Sequence, residues 1–214
     1  MKKGQFIVIE GIEGAGKSSA ISVVKKVLIK HGIDFINTRE PGGTPLAESL
    51  RDIVKSADHE EVLTQETELL LMYASRSQLL ANRILPALDK GQWVIGDRHD
   101  LSSRAYQGGG REFNDELMET IAQVTLKGFK PQLTLYLDIS PELGLARAQA
   151  RGALDRIELE KIEFFHRVRN KYREIALADD SIKIIDASAP MPVVHNNIRL
   201  AVNAFLKVNN VHES

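Results

Sequence analysis

Hydrophobic residues along this chain fall into short continuous runs separated by longer amphipathic stretches. The runs are rich in β-branched and aromatic residues, which is typical of strands buried in a parallel sheet. The predicted strands lie at 6–9, 35–36, 93–95, 133–137 and 182–185. Because strands alternate with helical patterns, right-handed crossovers and a mainly parallel sheet with helices on both faces are expected.

Amphipathic helices are predicted after the first strand and near the C-terminus. Apolar residues at 20–28 recur every three or four positions, and Gly32 stands where a C-terminal cap would. The same spacing returns at 194–205. There, Ser188 is predicted to cap a helix that has Pro190 in its first turn.

The alternation predicts a three-layer α/β/α fold with a five-stranded, mainly parallel sheet. At 214 residues the chain is within the range of one domain, and no repeat or linker divides it, so a single domain over 1–214 is expected. The three glycines at 108–110 are predicted to form a turn or loop. Ligands of such sheets bind beyond the carboxyl ends of the strands.

Charge and composition exclude several classes of function. The 28 Lys and Arg residues balance 29 Asp and Glu residues, so the chain lacks the overall positive charge that favours nucleic acid. It has no cysteine, hence no disulfide and no thiolate metal site. No apolar run approaches the roughly 18 residues of a membrane span, and no signal-peptide cleavage site follows the N-terminus. We expect a cytoplasmic protein that binds neither nucleic acid nor membrane.

The strongest motif directly follows the first predicted strand. It matches GxxxxGK[ST] and leads into the first amphipathic helix, a context that indicates a phosphate-binding P-loop more strongly than a structural turn. Its glycines let backbone N–H groups point at the phosphates of ATP, its lysine adds positive charge, and its serine hydroxyl suits Mg²⁺. The motif is Gly11-Ile12-Glu13-Gly14-Ala15-Gly16-Lys17-Ser18.

Two other predicted strands end in an arginine beside an acid. Arg39 precedes Glu40, and Asp97 precedes Arg98. Because these strand ends meet at one edge of the sheet, the two arginines are expected to hold a second phosphate, with ion pairing to the neighbouring acids as the alternative. Asp97 resembles the acid that holds Mg²⁺ or its waters in P-loop enzymes. A solvated turn aspartate is the alternative for that residue.

One arginine stands among apolar residues in the long helical stretch predicted at 64–90. Such a charge usually has a buried partner. Arg76 is predicted to donate to a carbonyl oxygen of a nucleobase, while Met72, one turn earlier, packs on the ring. A structural salt bridge is the alternative.

A basic segment follows the fourth strand and the start of the next helix. Arg147 and Arg151 lie on one helical face before Gly152, and Arg156 follows the glycine. The glycine favours a hinged lid at about 147–157 that brings positive charge to ATP. The alternative is stabilisation of a helix dipole, worth about 0.3–1 kcal/mol.

Together these motifs resemble those of bacterial thymidylate kinases, which are nucleoside monophosphate kinases of the P-loop fold. The resemblance covers nearly the whole chain and rests on 10–18, 39–44, 97–99, 105–110, 151–152 and 155–156. It implies ATP with Mg²⁺ as the phosphate donor, dTMP as the acceptor, and a homodimer. The P-loop has no basic residue at 12–15, whereas the lid has arginines. The chain is therefore similar to the type in which a lid arginine, here Arg151, is catalytic and binds ATP together with Arg147.

The resemblance also implies roles around the acceptor. Arg39 and Arg98 hold the acceptor phosphate, and Glu13 lies by the acceptor sugar and phosphate. Arg76 contacts the thymine, and Tyr106 stacks near the deoxyribose. The other residues implied for the base region are Met72, Ser103 and Gln107. Met72 departs from the family, whose members commonly have phenylalanine at this position, and this change bears on base affinity.

The acceptor phosphate is already ionised near neutral pH, so its attack on the γ-phosphate of ATP needs no general base. Catalysis then depends on positioning and charge neutralisation by Lys17, Arg98, Arg151 and Mg²⁺, with Glu13 in the site. Two other functions are open from the residues alone. A nucleotide-dependent switch would need no second anion site, and a kinase for another acceptor would share the P-loop.

Overall fold

The protein is built around one parallel sheet. A computed structural model describes residues 3–56, 59–150, 152 and 155–209. The strands within this part of the chain are β1 (Phe6–Glu10), β2 (Phe35–Arg39), β3 (Trp93–Asp97), β4 (Leu133–Asp138) and β5 (Ile182–Asp186). They form a five-stranded, all-parallel sheet in the order β2-β3-β1-β4-β5, which confirms the predicted fold class. Each strand continues a predicted apolar run to a charged residue at its carboxyl end.

Helices cover both faces of the sheet. They are α1 (Lys17–Lys30), α2 (Pro45–Lys55), α3 (Gln65–Leu79), α4 (Leu85–Asp89), α5 (Asp100–Ser103), α6 (Asp115–Leu126), α7 (Pro141–Gln149), α8 (Ile162–Ala178) and α9 (Met191–Val208), with π-helical turns at Leu80–Ile84 and Arg104–Gly110. Several begin after a side chain that accepts a first-turn N–H, namely Thr44, Thr64, Asn114 and Ser140. None of these helices is long and apolar enough to span a membrane.

Successive residues of β1 face opposite layers of the core. Ile7 and Ile9 pack with α1 and α9, whereas Phe6 and Val8 pack with α3 and α6. Every residue of β1 is buried, because helices lie on both faces. In register, Asp97 of β3 lies beside Ile9 on one side and Arg39 on the other. The charged strand ends therefore meet at one edge of the sheet, as predicted.

The predicted start of the last helix is wrong. Ser188 does not cap it, because its backbone N–H and its hydroxyl both donate to Asp186 Oδ1, at 2.9 and 2.5 Å. These bonds close a tight turn after β5, and α9 begins only at Met191, with Pro190 as the flanking residue. Serine favours such local turns as strongly as helix caps, so the pattern alone did not separate the two.

The prediction of a turn or loop at the three consecutive glycines is also wrong. They lie in the π-helical turn Arg104–Gly110, against α8. A Cβ atom added at Gly109 would lie 2.6 Å from Lys171 Cβ and 3.0 Å from the carbonyl oxygen of Arg167, both closer than packed atoms allow. Glycine is present here because two backbones approach each other.

This contact predicts different effects for two neighbouring alanine substitutions. Gly109→Ala forces α8 away from the π-helical turn and is expected to lower the free energy of unfolding by about 1–3 kcal/mol. At Gly108 the new Cβ meets only Met118 Cγ, at 3.6 Å, an ordinary contact, so Gly108→Ala should not destabilise the protein. Urea denaturation of both variants measures the difference. Equal losses of stability would show that α8 does not set the requirement for glycine.

Candidate active site

The P-loop joins the end of β1 to the start of α1. Gly11, Gly14 and Gly16 have φ of 140°, 71° and 91°, which favour glycine. Gly16 flanks α1 without a side-chain cap, so first-turn N–H groups remain available to an anion. Lys17 folds back over the loop and donates from Nζ to the carbonyl oxygens of Gly11 and Ile12, both at 3.0 Å. The loop thus has the geometry of a phosphate cradle.

The Lys17 ammonium lies in a buried, electrostatically mixed environment. Burial and the positive charge of Arg98 lower the pKa of Lys17 to about 8, although Glu13, Asp97 and Glu10 oppose the shift. The lowered pKa brings the loss of the ammonium proton close to the neutral pH range. Phosphate oxygens beside it would favour the charged form.

Two side-chain oxygens beside the P-loop, one from Ser18 and one from Asp97, have the chemistry of a Mg²⁺ site. Asp97 Oδ1, at the end of β3, is buried and has no hydrogen-bond partner among the described residues. Ser18 lines the same cavity as Asp97. No cluster of three or more His, Cys, Asp or Glu side chains that could hold a metal occurs among the described residues. The residues fit Mg²⁺, which keeps most of its waters and takes few protein ligands.

A cavity of about 430 Å³ opens over the carboxyl ends of β1, β2 and β3. The P-loop, α2, α3 and α7 surround it. The structure brings these predicted site residues together in its wall: Glu13, Gly14, Gly16, Lys17, Ser18, Arg39, Met72, Asp97, Arg98, Tyr106 and Arg147. The other P-loop residues, Gly11, Ile12 and Ala15, are buried and do not line this cavity.

Arg98 forms the centre of a polar cluster in this wall. Its Nη2 donates to Glu13 Oε1 at 2.5 Å and to the Tyr106 hydroxyl at 3.3 Å, and that hydroxyl donates to Glu13 Oε2 at 2.6 Å. Burial opposes ionisation of Glu13, but the charges of Arg98 and Lys17 outweigh it and hold the pKa of Glu13 below its ordinary value. Glu13 is therefore a carboxylate that orients Arg98 and Tyr106.

A second buried carboxylate supports this cluster from behind. Glu10 accepts hydrogen bonds from the His99 backbone N–H at 2.7 Å, the Ser102 hydroxyl at 2.6 Å and the Tyr172 hydroxyl at 2.9 Å. Ser102 in turn accepts from Arg98 Nη1 at 3.1 Å. Burial raises the pKa of Glu10. The prediction from sequence did not give Glu10 a role, although an acid at the end of a fully apolar strand is a signal for one.

Arg39 is ion-paired, but not with its sequence neighbour. Its Nη2 donates to Glu48 Oε2 at 2.7 Å, across to α2. Two cations of α2 that the sequence prediction did not include also line the cavity, Arg51 and Lys55. Arg51 donates to the carbonyl oxygen of Pro41 at 2.8 Å. Their four-residue spacing, shortly after the end of β2, was the signal available in the sequence.

Arg76 forms the structural salt bridge that was the alternative interpretation, and its contact with a base stays a prediction. It is buried, and its Nε donates to Glu40 Oε2 at 2.6 Å, so a structural salt bridge exists. Its Nη2 donates to the His99 carbonyl oxygen at 3.1 Å and to Ser103 Oγ at 2.9 Å. Its Nη1 has no hydrogen-bond partner among the described residues, the nearest carboxylate oxygen, on Asp100, being 3.6 Å away. One donor therefore remains for a ligand, in a recess that Met72 also lines.

Ser103 and Gln107 are fully buried and are not among the residues that line this cavity. Ser103 contacts Arg76, as described above, and is fully buried. Gln107 donates from Nε2 to Glu68 Oε1 at 2.8 Å, and its Oε1 has no partner among the described residues. Each side chain is thus paired with a residue of α3, and its part in the base region stays a prediction.

The lid arginines occupy different places. Arg147 lines the cavity and donates to the carbonyl oxygen of Ala187 at 3.2 Å. Arg151 lies outside the described residues. Arg156 points away from the cavity, since its Nη2 donates to Glu68 Oε2 at 2.6 Å and its Nε to the carbonyl oxygen of Val54 at 3.0 Å. Arg156 therefore attaches the end of the lid segment to α2 and α3.

Helix α7, which leads into the lid segment, rests directly on the P-loop. A Cβ atom added at Gly144 would lie 2.7 Å from the carbonyl oxygen of Glu13, and one added at Gly14 would overlap the backbone of Gly144. No side chain separates the helix from the loop at this point. The position of Arg147, one turn further along α7, is set by this contact.

A second cavity, of about 300 Å³, lies on the other side of the P-loop. The P-loop and α9 form its two main walls, and Arg147 stands at the boundary with the first cavity. Its lining is largely apolar apart from Arg147, Ser19 and His195. The P-loop therefore lies between a cavity lined by many charged side chains and one lined by few.

Comparison with known proteins shows the family of this chain. A model of the thymidylate kinase family matches residues 9–198. The thymidylate kinase of Colwellia psychrerythraea is 70% identical to this chain, covering 96% of it and 97% of that protein. Those of Pseudoalteromonas translucida and Shewanella frigidimarina are 58% and 57% identical, covering 95% and 96% of this chain and 97% and 95% of those proteins. The chain belongs to the thymidylate kinase family.

Proposed function

We propose that this protein transfers the γ-phosphate of ATP to dTMP, giving dTDP and ADP, as a step toward dTTP. The observation that carries the proposal is one cavity with two anion-binding walls. The P-loop and Lys17 form one wall, and Arg39 and Arg98 form the other. A nucleotide switch needs only the first wall, whereas a kinase with a phosphorylated acceptor needs both.

The donor side of the site fits ATP. The triphosphate would lie in the P-loop beside Lys17, and the second cavity would hold the adenine base, with Arg147 at the boundary. Ser18 and Asp97 would hold Mg²⁺, which neutralises charge on the β- and γ-phosphates when it is bound. Asp97 Oδ1, which is buried and has no hydrogen-bond partner within the described ranges, supports this assignment.

The acceptor side fits a thymine nucleotide. Arg39, Arg98 and Arg51 would hold the 5′-phosphate, and Tyr106 would pack on the deoxyribose. Arg76 Nη1, a buried donor without a hydrogen-bond partner in the part of the chain that the structure describes, would donate to O4 of the base, and Met72 would pack on the ring. Ser103 keeps Arg76 in place for this contact.

In the reaction, an oxygen of the dTMP phosphate forms a bond to the γ-phosphorus, and the bond from that phosphorus to the β,γ-bridging oxygen breaks. The leaving oxygen departs with ADP. Glu13 is ion-paired and has a lowered pKa, so it orients Arg98 rather than accepting a proton. Lys17, Arg98 and Arg151 stabilise charge in the transition state.

Closure of the lid segment, at about 147–157, would exclude water from the γ-phosphate. Without such exclusion, water would compete with dTMP and ATP would be hydrolysed. A single kinase domain over 1–214 and a homodimer complete the proposal, both on the basis of family resemblance.

The first test is acceptor specificity. ADP release should be rapid with MgATP and dTMP and should be absent with dAMP or dGMP, because the family resemblance implies a thymine nucleotide as the acceptor. A coupled assay with product identification measures this. Turnover of a purine nucleotide alone would refute the base assignment, and ATP hydrolysis that ignores every acceptor would favour the switch.

The lid arginine gives the second test. Arg151→Ala is expected to lower kcat by about 10³-fold, since a donated arginine contributes on that order in related phosphoryl transfers, and to change the KM for ATP little. Steady-state kinetics measure both constants. Lys161→Ala, which removes an exposed positive charge shortly after the lid, is the matched control and should behave like the unsubstituted protein. An unchanged kcat in Arg151→Ala would remove Arg151 from the mechanism.

The lowered pKa of Lys17 gives the third test. At about pH 9 the lysine is mostly neutral in the ATP-free protein, because its pKa is about 8, and the triphosphate restores its charge. ATP binding should therefore take up a proton near pH 9, and affinity should fall as the pH rises through 8. Near pH 7 Lys17 is already charged, and no uptake is expected.

Calorimetry in two buffers of different ionisation enthalpy measures the protons exchanged. Lys17→Met provides the control, because it has no ammonium group and should show no uptake at either pH. Equal proton uptake by the protein and by Lys17→Met would assign the effect to another group.

A further inference from the structure

Glu68 is a buried carboxylate that the proposed reaction does not use directly. It is only 1% exposed and lies on α3. Its Oε1 accepts from Gln107 Nε2 at 2.8 Å, and its Oε2 accepts from Arg111 Nη2 at 2.9 Å and from Arg156 Nη2 at 2.6 Å. Three different segments of the chain therefore meet at this one side chain.

The ionised form of Glu68 is the stable one. Burial opposes ionisation, but hydrogen bonds from Arg111, Gln107 and Arg156 outweigh it and hold the pKa of Glu68 below its ordinary value. A carboxylate can only accept hydrogen bonds. The amide of Gln107 must therefore turn its NH₂ group toward Glu68, and its Oε1, which has no partner among the described residues, faces the other way.

The Gln107 amide lies next to the predicted base region. Glu68, Met72 and Arg76 follow one another at four-residue intervals on α3 and so share one face of the helix. Across from this face, Ser103 pairs with Arg76 and Gln107 pairs with Glu68. Among the described residues, Arg76 Nη1 is a donor without a partner and Gln107 Oε1 is an acceptor without one. Arg76 lies one turn after Met72 on α3, and Gln107 pairs with Glu68, one turn before Met72.

We infer that Glu68 is a positioning residue that makes the site specific for bases with an imide edge, by fixing Gln107 with its carbonyl oxygen toward the base. Thymine and uracil present a carbonyl oxygen at C4 and an N–H at N3, which match the donor and the acceptor. Cytosine presents an amino group and a bare nitrogen at these places, so both contacts would be repulsive. The inference rests on the proposed function, because it requires dTMP to be the acceptor.

The rival interpretation is that Glu68 only anchors the lid segment through Arg156 and Arg111. Loss of such an anchor would lower kcat/KM for every acceptor by the same factor. The specificity role differs, because a freely rotating Gln107 amide can turn its NH₂ group toward the bare N3 of cytosine. The ratio of kcat/KM for dTMP to that for dCMP separates the two.

Glu68→Gln provides the main experiment. It retains the shape of the side chain but can donate as well as accept, so Gln107 is no longer held in one orientation. We expect the dTMP to dCMP ratio to fall by about tenfold, the effect of losing one oriented hydrogen bond, and the dTMP to dUMP ratio to stay constant, since uracil has the same edge. A fall of kcat/KM by one common factor for all three acceptors would overturn the inference.

Two further variants make the comparison specific. Arg156→Met removes the lid anchor but leaves the bond between Gln107 and Glu68, so the dTMP to dCMP ratio should not change. In a Gln107→Met background, which has no amide to orient, Glu68→Gln should have no further effect on the ratio. A dTMP to dCMP ratio that falls in Arg156→Met would overturn the inference. A ratio that Glu68→Gln lowers equally in the presence and in the absence of Gln107 would overturn it too.

A measurement on the unsubstituted protein covers the case in which Glu68→Gln does not fold. The side-chain NH₂ protons of Gln107, assigned by their loss in Gln107→Met, should be protected from hydrogen exchange before dTMP is added. Protection that arises only on dTMP binding would mean that the NH₂ group faces the base, and would refute the inference. If the unsubstituted protein does not phosphorylate dTMP at all, the proposed function fails instead, which is a separate outcome.

Discussion

Repulsion between two phosphates is the constraint on which this site depends. A monophosphate cannot lie beside a triphosphate unless positive charge surrounds both, yet a buried guanidinium without a partner is itself very unfavourable. The protein meets both conditions by giving each buried arginine of the wall its own carboxylate. Arg98 is paired with Glu13, and Arg76 with Glu40, at 2.5 and 2.6 Å. The ligand-free cavity is therefore close to electrically balanced, and its donors are already aimed.

Acidic residues accordingly act as internal supports in this fold. Glu10, Glu40 and Glu68 are all nearly or fully buried. Each accepts hydrogen bonds from a side chain of the proposed site or from the neighbour of such a side chain. Glu10 supports Arg98 through Ser102, and Glu40 supports Arg76 directly. Such contacts are short and directional, so they fix orientation as well as charge. The side chains that are proposed to contact the ligand are thus held by helices and strands rather than by loops alone.

The sequence predicted what depends on local pattern. Five apolar runs and one P-loop motif were enough for the sheet and the phosphate cradle, because buried strands and glycine-rich turns are encoded by neighbouring residues. It did not predict the partners of Arg39 and Arg156, since both depend on tertiary packing of α2 and α3. The prediction of a turn or loop at the glycines of 108–110 was wrong for the same reason, because the need for glycine there comes from close contact with α8, far along the chain.

The contact between Gly14 and Gly144 links the evolution of two distant parts of the chain. Each position leaves no room for a methyl group because the backbone of the other region is there. A substitution at either one must be accompanied by a shift of α7 relative to the P-loop, so neither position can vary freely while the other elements stay in place. An inhibitor that wedges between α7 and the P-loop at this point would meet the backbone of Gly14, Glu13 and Gly144 together with the side chain of Ile12. The protein cannot readily alter the backbone part of that surface by exchanging side chains.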